Sequence, residues 1–172
     1  MTDFDNKPGY AALRQNRYSV PGAEYFLTLN TLFRKEGLCS PESLAKVSAE
    51  RQKLESLSFW HVRCAVVMPD HMHLLVELGA KKSVQEVVRL FKGRLSSTLR
   101  LAGLHWQDGY YEHRMRQNEK RLPVFIYIFL NPYKAKLIAA TKAWAGYYCD
   151  STDWAWFSQF TDNELPMPEW LQ

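Results

Sequence analysis

The chain has 172 residues, of which 47% are hydrophobic and 14% aromatic, and a formal net charge of +4. That length suits one compact domain with a sizeable core, and that composition excludes a disordered chain. No apolar run approaches the roughly 20 residues of a membrane-spanning helix. Residues 1–9 are polar and acidic, unlike a leader, and the three cysteines (Cys39, Cys64, Cys149) are far apart. Such cysteines argue against a disulfide framework or a zinc site and suit a reducing, cytoplasmic setting.

The charge is unevenly placed. Residues 1–149 hold all 22 Lys and Arg against 13 acids, while residues 150–172 hold five acids and no base. Residues 81–122 alone carry ten basic and four acidic side chains. A basic body attracts polyanions, nucleic acid most commonly. The expected organisation is one domain over 1–149, with 150–172 an acidic C-terminal tail of the same unit. That tail either folds over the basic surface or is a solvated terminus.

In chain order, residues 24–34 (EYFLTLNTLFR) follow Pro21-Gly22 and read as a strand, being rich in aromatics and threonine. Ser40-Pro41-Glu42 opens a helix, with Ser40 as N-cap, Pro41 at the first helical position, and an apolar stripe of Leu44, Val47, Leu54 and Leu57. Residues 59–68 (FWHVRCAVVM) are a second strand. Met68-Pro69-Asp70 breaks it, and residues 71–78 (HMHLLVEL) resume as its antiparallel neighbour. Ser83 starts a helix whose Val84, Val87, Val88, Phe91, Leu95 and Leu99 recur at three and four. A turn over 103–111 leads into a short strand near 106–113, and residues 119–142 read as mostly helical, interrupted at Pro132. The first six elements predict an α+β, ferredoxin-like sandwich: β-α-β-β-α-β, an antiparallel sheet with those helices on one face, followed by a C-terminal helix. That sheet serves many functions, so function has to be read from a site.

Two constellations carry chemistry. His71 and His73 are two apart on a strand, so both imidazoles project from one face, roughly 6.5–7 Å apart along the backbone, with Met72 opposite. Two such imidazoles are half a metal site, or two unrelated histidines on a solvated face. In Val124–Asn131 (VFIYIFLN) only Tyr127 and Asn131 are polar, and four apart on a helix they share a face. Asn131 precedes Pro132, which places it near a helix end with its carbonyl oxygen available to a metal. Read alone, Tyr127 also fits a core tyrosine and Asn131 a helix cap.

Together these residues resemble the HUH single-tyrosine transposases (the IS200-like superfamily), and most of all those associated with repetitive extragenic palindromes. The matching stretches are Met68-Pro69-Asp70-His71-Met72-His73-Leu74-Leu75-Val76, Phe91-Lys92-Gly93, Trp106-Gln107, Tyr110-Tyr111-Glu112-His113, Tyr127-Ile128, Asn131-Pro132, Lys134-Ala135 and Trp154-Ala155-Trp156-Phe157-Ser158. They span roughly residues 18 to 160 in the expected order; Asp70 departs from the pattern, which more often has Asn there. The resemblance implies that His71, His73 and the Asn131 side-chain oxygen bind Mg2+ or Mn2+, although imidazole alone would also suit zinc. It implies that Tyr127 attacks a phosphate of single-stranded DNA beside a palindromic hairpin, leaving a 5′-phosphotyrosine link and a free 3′-hydroxyl. His113 is a possible support for the site or a structural histidine. Lys92, Arg94, Arg100, Arg114 and Arg116 are candidate phosphate contacts or a solvated basic face. Rival readings are a domesticated palindrome-binding protein and a nuclease that uses water. The motifs leave monomer and homodimer open.

Overall fold

The computed structural model describes residues 18–172; the polar segment over 1–9 lies outside them. In β1 (Glu24–Asn30) buried and half-buried residues alternate, so Tyr25, Leu27 and Leu29 face one side and Phe26, Thr28 and Asn30 the other. With β2 (Trp60–Val67), β3 (His71–Leu78), β4 (Tyr111–Arg114) and β5 (Tyr147–Cys149) it forms a five-stranded sheet in the order β4-β1-β3-β2-β5. Every neighbouring pair is antiparallel. The first four strands and the two helices between them are the ferredoxin-like arrangement read from the sequence; β5 is an added edge.

Helices α1 (Pro41–Ser56) and α2 (Val84–Leu101) begin where the caps predict. Ser40 accepts from the Ser43 N–H, and Ser83 with Glu86 forms a reciprocal capping box. All six apolar positions of α2 are buried, and with Val47 and Leu54 of α1 they pack on Tyr25, Leu27, Leu29, Met72, Leu74 and Val76. A second core occupies the opposite face. There Cys64, Val66 and Leu75 meet Phe125, Ile128, Phe129 and Leu130 of α3 (Arg121–Lys134) and Phe157 of α4 (Ser151–Phe157).

Three boundaries differ from the sequence reading. The first strand stops at Asn30, because Thr31 and Leu32 turn their N–H groups to Asp70 and His105 carbonyls. Leu32–Arg34 is then a tight turn with Phe33 and Arg34 both at φ 56°. The strand near 106–113 is confined to Tyr111–Arg114, with Trp106 making only an isolated bridge to Thr31. Pro132 does not interrupt its helix. It lies in the last turn, where its missing N–H forfeits one bond near an end that frays anyway. The helix closes at Lys134, and Lys136 at φ 57° sends residues 135–142 into turns.

The acidic C-terminal segment packs in part into the fold, while Asp162, Glu164 and Glu169 are exposed. Asp150 caps α4 by accepting from the Thr152 N–H, Phe157 is fully buried, and Trp154 and Trp170 pack against the second core. Asp153, only 6% exposed, pairs with Arg63 at 3.3 Å. Arg63 also contacts Glu24 and Glu77, and Arg121 reaches Glu24 from α3. The fold likewise brings two of the distant cysteines together. Cys64 and Cys149 face each other across β2 and β5, yet both are free thiols, and burial pushes Cys149 up to about 12.

Removing Arg63 leaves three partly buried carboxylates facing one another. Arg63→Met should cost about 3 kcal/mol, lowering Tm by roughly 10 °C in a chain of this size. Adding Glu77→Gln should recover part of that loss in the same calorimetric scan. An unchanged melting temperature in the single variant would remove the charge cluster from the account of stability.

Candidate active site

The pairing of β1 with β3 builds the first part of the site. Asn30 lies opposite His71 and Thr28 opposite His73, and the two imidazoles stand with ring centroids 4.8 Å apart. Met72 points into the other core, 1% exposed. His73 is 5% exposed, and burial, followed by the charges of His71 and Arg34, pushes its pKa down to about 3. It is therefore neutral at physiological pH. Its Nδ1 is 2.8 Å from the Thr28 hydroxyl. With Nδ1–H donating there, the lone pair falls on Nε2, which points at the Tyr127 hydroxyl 3.3 Å away.

His71 is oriented by a different partner. Its Nδ1 lies 2.6 Å from Asp70 Oδ1 and 3.1 Å from Arg34 Nη2. A carboxylate only accepts, so Nδ1 carries the proton and donates to Asp70, and the guanidinium contact is not a hydrogen bond. Arg34 spends its own protons on Asp70 Oδ2 and Asn30 Oδ1, each at 2.6 Å. Burial pushes the Asp70 carboxyl up, but the hydrogen bonds and charges of His71 and Arg34 outweigh it and hold it below its ordinary value. Both imidazoles thus have Nδ1 satisfied and Nε2 presented. This is the arrangement in which outer partners fix the ring of a ligating histidine, so the residues present fit a divalent cation.

Helix α3 supplies the second part. Phe125, Ile128, Phe129 and Leu130 are buried, and their packing sets the rotation that leaves Tyr127 51% exposed over the histidines. Asn131 follows one turn later on the same face. Its Nδ2 donates to the Tyr127 carbonyl at 3.0 Å, so the carboxamide oxygen is the end left to accept or ligate. Beneath them Phe26 stacks on His73 at 5.4 Å and meets Tyr127 edge-on at 5.8 Å.

The remaining sequence candidates do not converge here. His113 shares the site's face of the sheet, opposite Phe26, but its Nε2 is 2.9 Å from Glu119. Lys92, Arg94 and Arg100 belong to α2, across the sheet from the imidazoles. Lys92 is half-buried, its ammonium bonded to the carbonyls of Gln107 and Gly109, and Arg94 pairs with Glu50. Arg100 is exposed on that far layer. Arg114 and Arg116 are exposed and line an open groove of ≈ 640 Å³ at the end of β4. Sequence reasoning missed Thr28, Arg34 and Phe26. Thr28 and Phe26 become site residues only through strand register, which no local pattern in β1 announces, and Arg34 only through the turn that follows β1. Another grouping among the described residues, His61, Asp150 and Asp153, has ligand atoms within 4.8 Å of one another. Its carboxylates are already committed to the α4 cap and to Arg63.

Residues 51–128 match the family model for IS200-like transposases. The chain is similar to the IS200-like transposases over that span. The matched span contains His71, His73 and Tyr127 and ends before Asn131. The REP-associated tyrosine transposase of Escherichia coli (strain K12) is 24% identical over 133 residues, covering 74% of this chain and 77% of that one. Among solved structures, that of a REP-associated tyrosine transposase bound to a REP hairpin has a TM-score of 0.64 at 22% identity, covering 76% of this chain and 79% of that chain. A putative transposase from Deinococcus radiodurans R1 aligns more loosely, with a TM-score of 0.47 at 21% identity over 67% of this chain and 92% of that one.

If Asp70 and Thr28 hold the two imidazoles for ligation, their loss should weaken metal binding without unfolding the sheet. Asp70→Ala should lower Mn2+ affinity by roughly 10–100-fold, and Thr28→Val should act in the same direction, both read by calorimetric titration. Wild-type affinity in both variants would show that these hydrogen bonds do not tune the site.

Proposed function

We propose that the protein cleaves and rejoins single-stranded DNA beside a palindromic hairpin, with Tyr127 as nucleophile, in the cytoplasm. The observation that carries this reading is the 3.3 Å contact between the Tyr127 hydroxyl and His73 Nε2, with the His71 imidazole alongside. A phosphate held at the Nε2 edge of the pair would lie within reach of that hydroxyl. His71, His73 and the Asn131 oxygen would hold Mg2+ or Mn2+, which supplies charge neutralisation and orients a phosphate oxygen.

The chain's own residues do the rest. Tyr127 oxygen forms a bond to the phosphorus as its proton departs to solvent. The bond from phosphorus to the 3′ oxygen of the preceding nucleotide breaks, and that oxygen takes a proton to become a free 3′-hydroxyl. The link between Tyr127 and the 5′ phosphate is a phosphodiester like the one broken, so a second 3′-hydroxyl can reverse the step without ATP. His73 is a poor candidate for the base in this step. An imidazole whose conjugate acid titrates at about 3 has little affinity for the proton of a phenol whose ordinary pKa is ~10. Its single unprotonated lone pair, on Nε2, is better suited to a cation, and metal ligation and the contact with Tyr127 are then alternatives there.

The rival in which water attacks and Tyr127 is structural has the half-exposed phenol against it. A core tyrosine would not leave 51% of its surface open above two imidazoles. Loss of transposition in the cell, with hairpin binding retained, is the other rival; the intact set of His71, His73, Tyr127 and Asn131 favours retained chemistry.

Incubation of the whole protein with 3′-labelled hairpin DNA and Mg2+ or Mn2+ should give a labelled species that survives denaturant and is destroyed by protease. Tyr127→Phe and His73→Ala should abolish it, EDTA should suppress it, and Tyr133→Phe should leave it intact. Metal-dependent cleavage without an adduct would make water the nucleophile, and an adduct on another residue would displace Tyr127. Binding of the same DNA by Tyr127→Phe should persist and weaken with salt, with a log–log slope of about −0.7 per single-strand phosphate contact.

A further inference from the structure

We propose that Tyr111 is a stacking platform for one nucleobase flanking the scissile phosphate, an inference that rests on the DNA-cleaving reading above. The stretch Tyr110-Tyr111-Glu112-His113 has no part in the chemistry derived so far, and on the sequence Tyr111 sits on a segment remote from Tyr127. The sheet removes that distance. Tyr111 of β4 lies opposite Thr28 of β1, and Thr28 lies opposite His73 of β3. Partners facing each other across antiparallel strands project to the same side, so Tyr111, Thr28 and His73 form one row. Two strand spacings of ~4.8 Å put the Tyr111 backbone about 10 Å from that of His73.

The ring sits as a platform would. It is 57% exposed and packs on Phe26, edge to face, with centroids 6.2 Å apart. Phe26 in turn contacts both His73 and Tyr127. The three rings Tyr111, Phe26 and Tyr127 therefore form one apolar step beside the imidazoles, half-buried at Phe26 and open at its two tyrosine ends. Tyr110 behaves differently: it packs against the first core and its hydroxyl donates to Glu112. An aromatic ring left more than half in water, next to a phosphate site, matches how proteins hold single strands. Every base has a π-face, and stacking on an aromatic ring holds it whatever its sequence. A phosphate at the imidazoles carries a nucleoside on each side, and the one lying toward β4 meets Tyr111.

The test uses the full chain and a hairpin DNA with a randomised single-stranded flank. Sequencing the DNA recovered in the covalent adduct gives the cut position, and each flanking base is then replaced by an abasic nucleotide. Tyr111→Ala should lower kcat/KM about tenfold on the intact strand, while Tyr111→Phe keeps wild-type rates because stacking needs the ring and not the hydroxyl. At one flanking position the abasic substrate should lose about as much with the wild type and lose nothing further with Tyr111→Ala. Losses that multiply at every position would overturn the platform. So would a Tyr111→Phe variant as impaired as Tyr111→Ala, or a Tyr111→Ala defect that tracks a change in oligomeric state by sedimentation. Thermal melts of both variants guard against unfolding. Absence of any adduct with the wild type would instead sink the parent reading, so the two failures are distinguishable.

Discussion

The site depends on the register between β1 and β3. Side chains on a strand alternate with a period of two, so a slip of one residue would carry both histidines into the opposite core and leave Met72 at the surface. The register is held by apolar residues on either side of the sheet: Leu27, Leu29, Met72 and Leu74 in one core and Leu75 in the other. It also does chemical work. Thr28, opposite His73, supplies the hydroxyl that fixes that imidazole; Asn30, opposite His71, holds the Arg34 guanidinium that in turn braces Asp70. Two successive pairs on one face of that ladder thus carry the support for both rings.

The two imidazoles are supported in ways that match their exposure. His73 is nearly dry, where a charged partner would be costly to bury, and it has a neutral hydroxyl. His71 is nearer to solvent and has a carboxylate, itself balanced by Arg34. The turn that delivers Arg34 is strained, with two consecutive side-chain-bearing residues at φ 56°. Such conformations cost about 1–3 kcal/mol each and persist only where the surroundings dictate them. Here Thr31 does so. Fully buried, it has its hydroxyl 2.8 Å from both the Lys35 and the Asp70 carbonyls, which ties the turn to the same residue that orients His71.

Much of this was legible in the sequence where a local rule and the tertiary context agree. The His-x-His spacing on an apolar strand, the Ser40 and Ser83 caps and the stripe of α2 each read correctly because one face of each element is buried. The end of β1 did not, since Thr31, Leu32 and Phe33 have strand-like side chains and only the distant carbonyls of Asp70 and His105 turn the chain. Pro132 was misjudged because its position within the helix decides its effect, and that position depends on where α3 ends. Lys92 looked like a phosphate contact because charge is visible in a sequence and acceptors are not. Its ammonium holds the loop before β4, and burial lowers its pKa. The charge reading of the C-terminal segment did not reveal that Asp150 caps a helix and Asp153 pairs with Arg63, nor that Trp154, Phe157 and Trp170 pack into the second core.

The placement of charge bears on how a nucleic acid would be held. Three of the five basic residues expected to meet phosphate lie on α2, on the far side of the sheet from Tyr127. Exposed charges separated by more than a Debye length, about 8 Å at physiological salt, are largely screened from one another. Near the histidines, Arg34 is committed to Asp70 and Asn30, and on α3 Arg121 is committed to Glu24. The net positive charge therefore steers a polyanion toward the molecule as a whole more than it grips a phosphate at the site. On the proposed reading, local hold would come from contacts that survive screening: the ligands of a cation, the carboxamide of Asn131, the exposed aromatic faces beside them, and the exposed Lys134 at the end of α3. On that reading, a strand would be retained by coordination and stacking together, and released when either is lost.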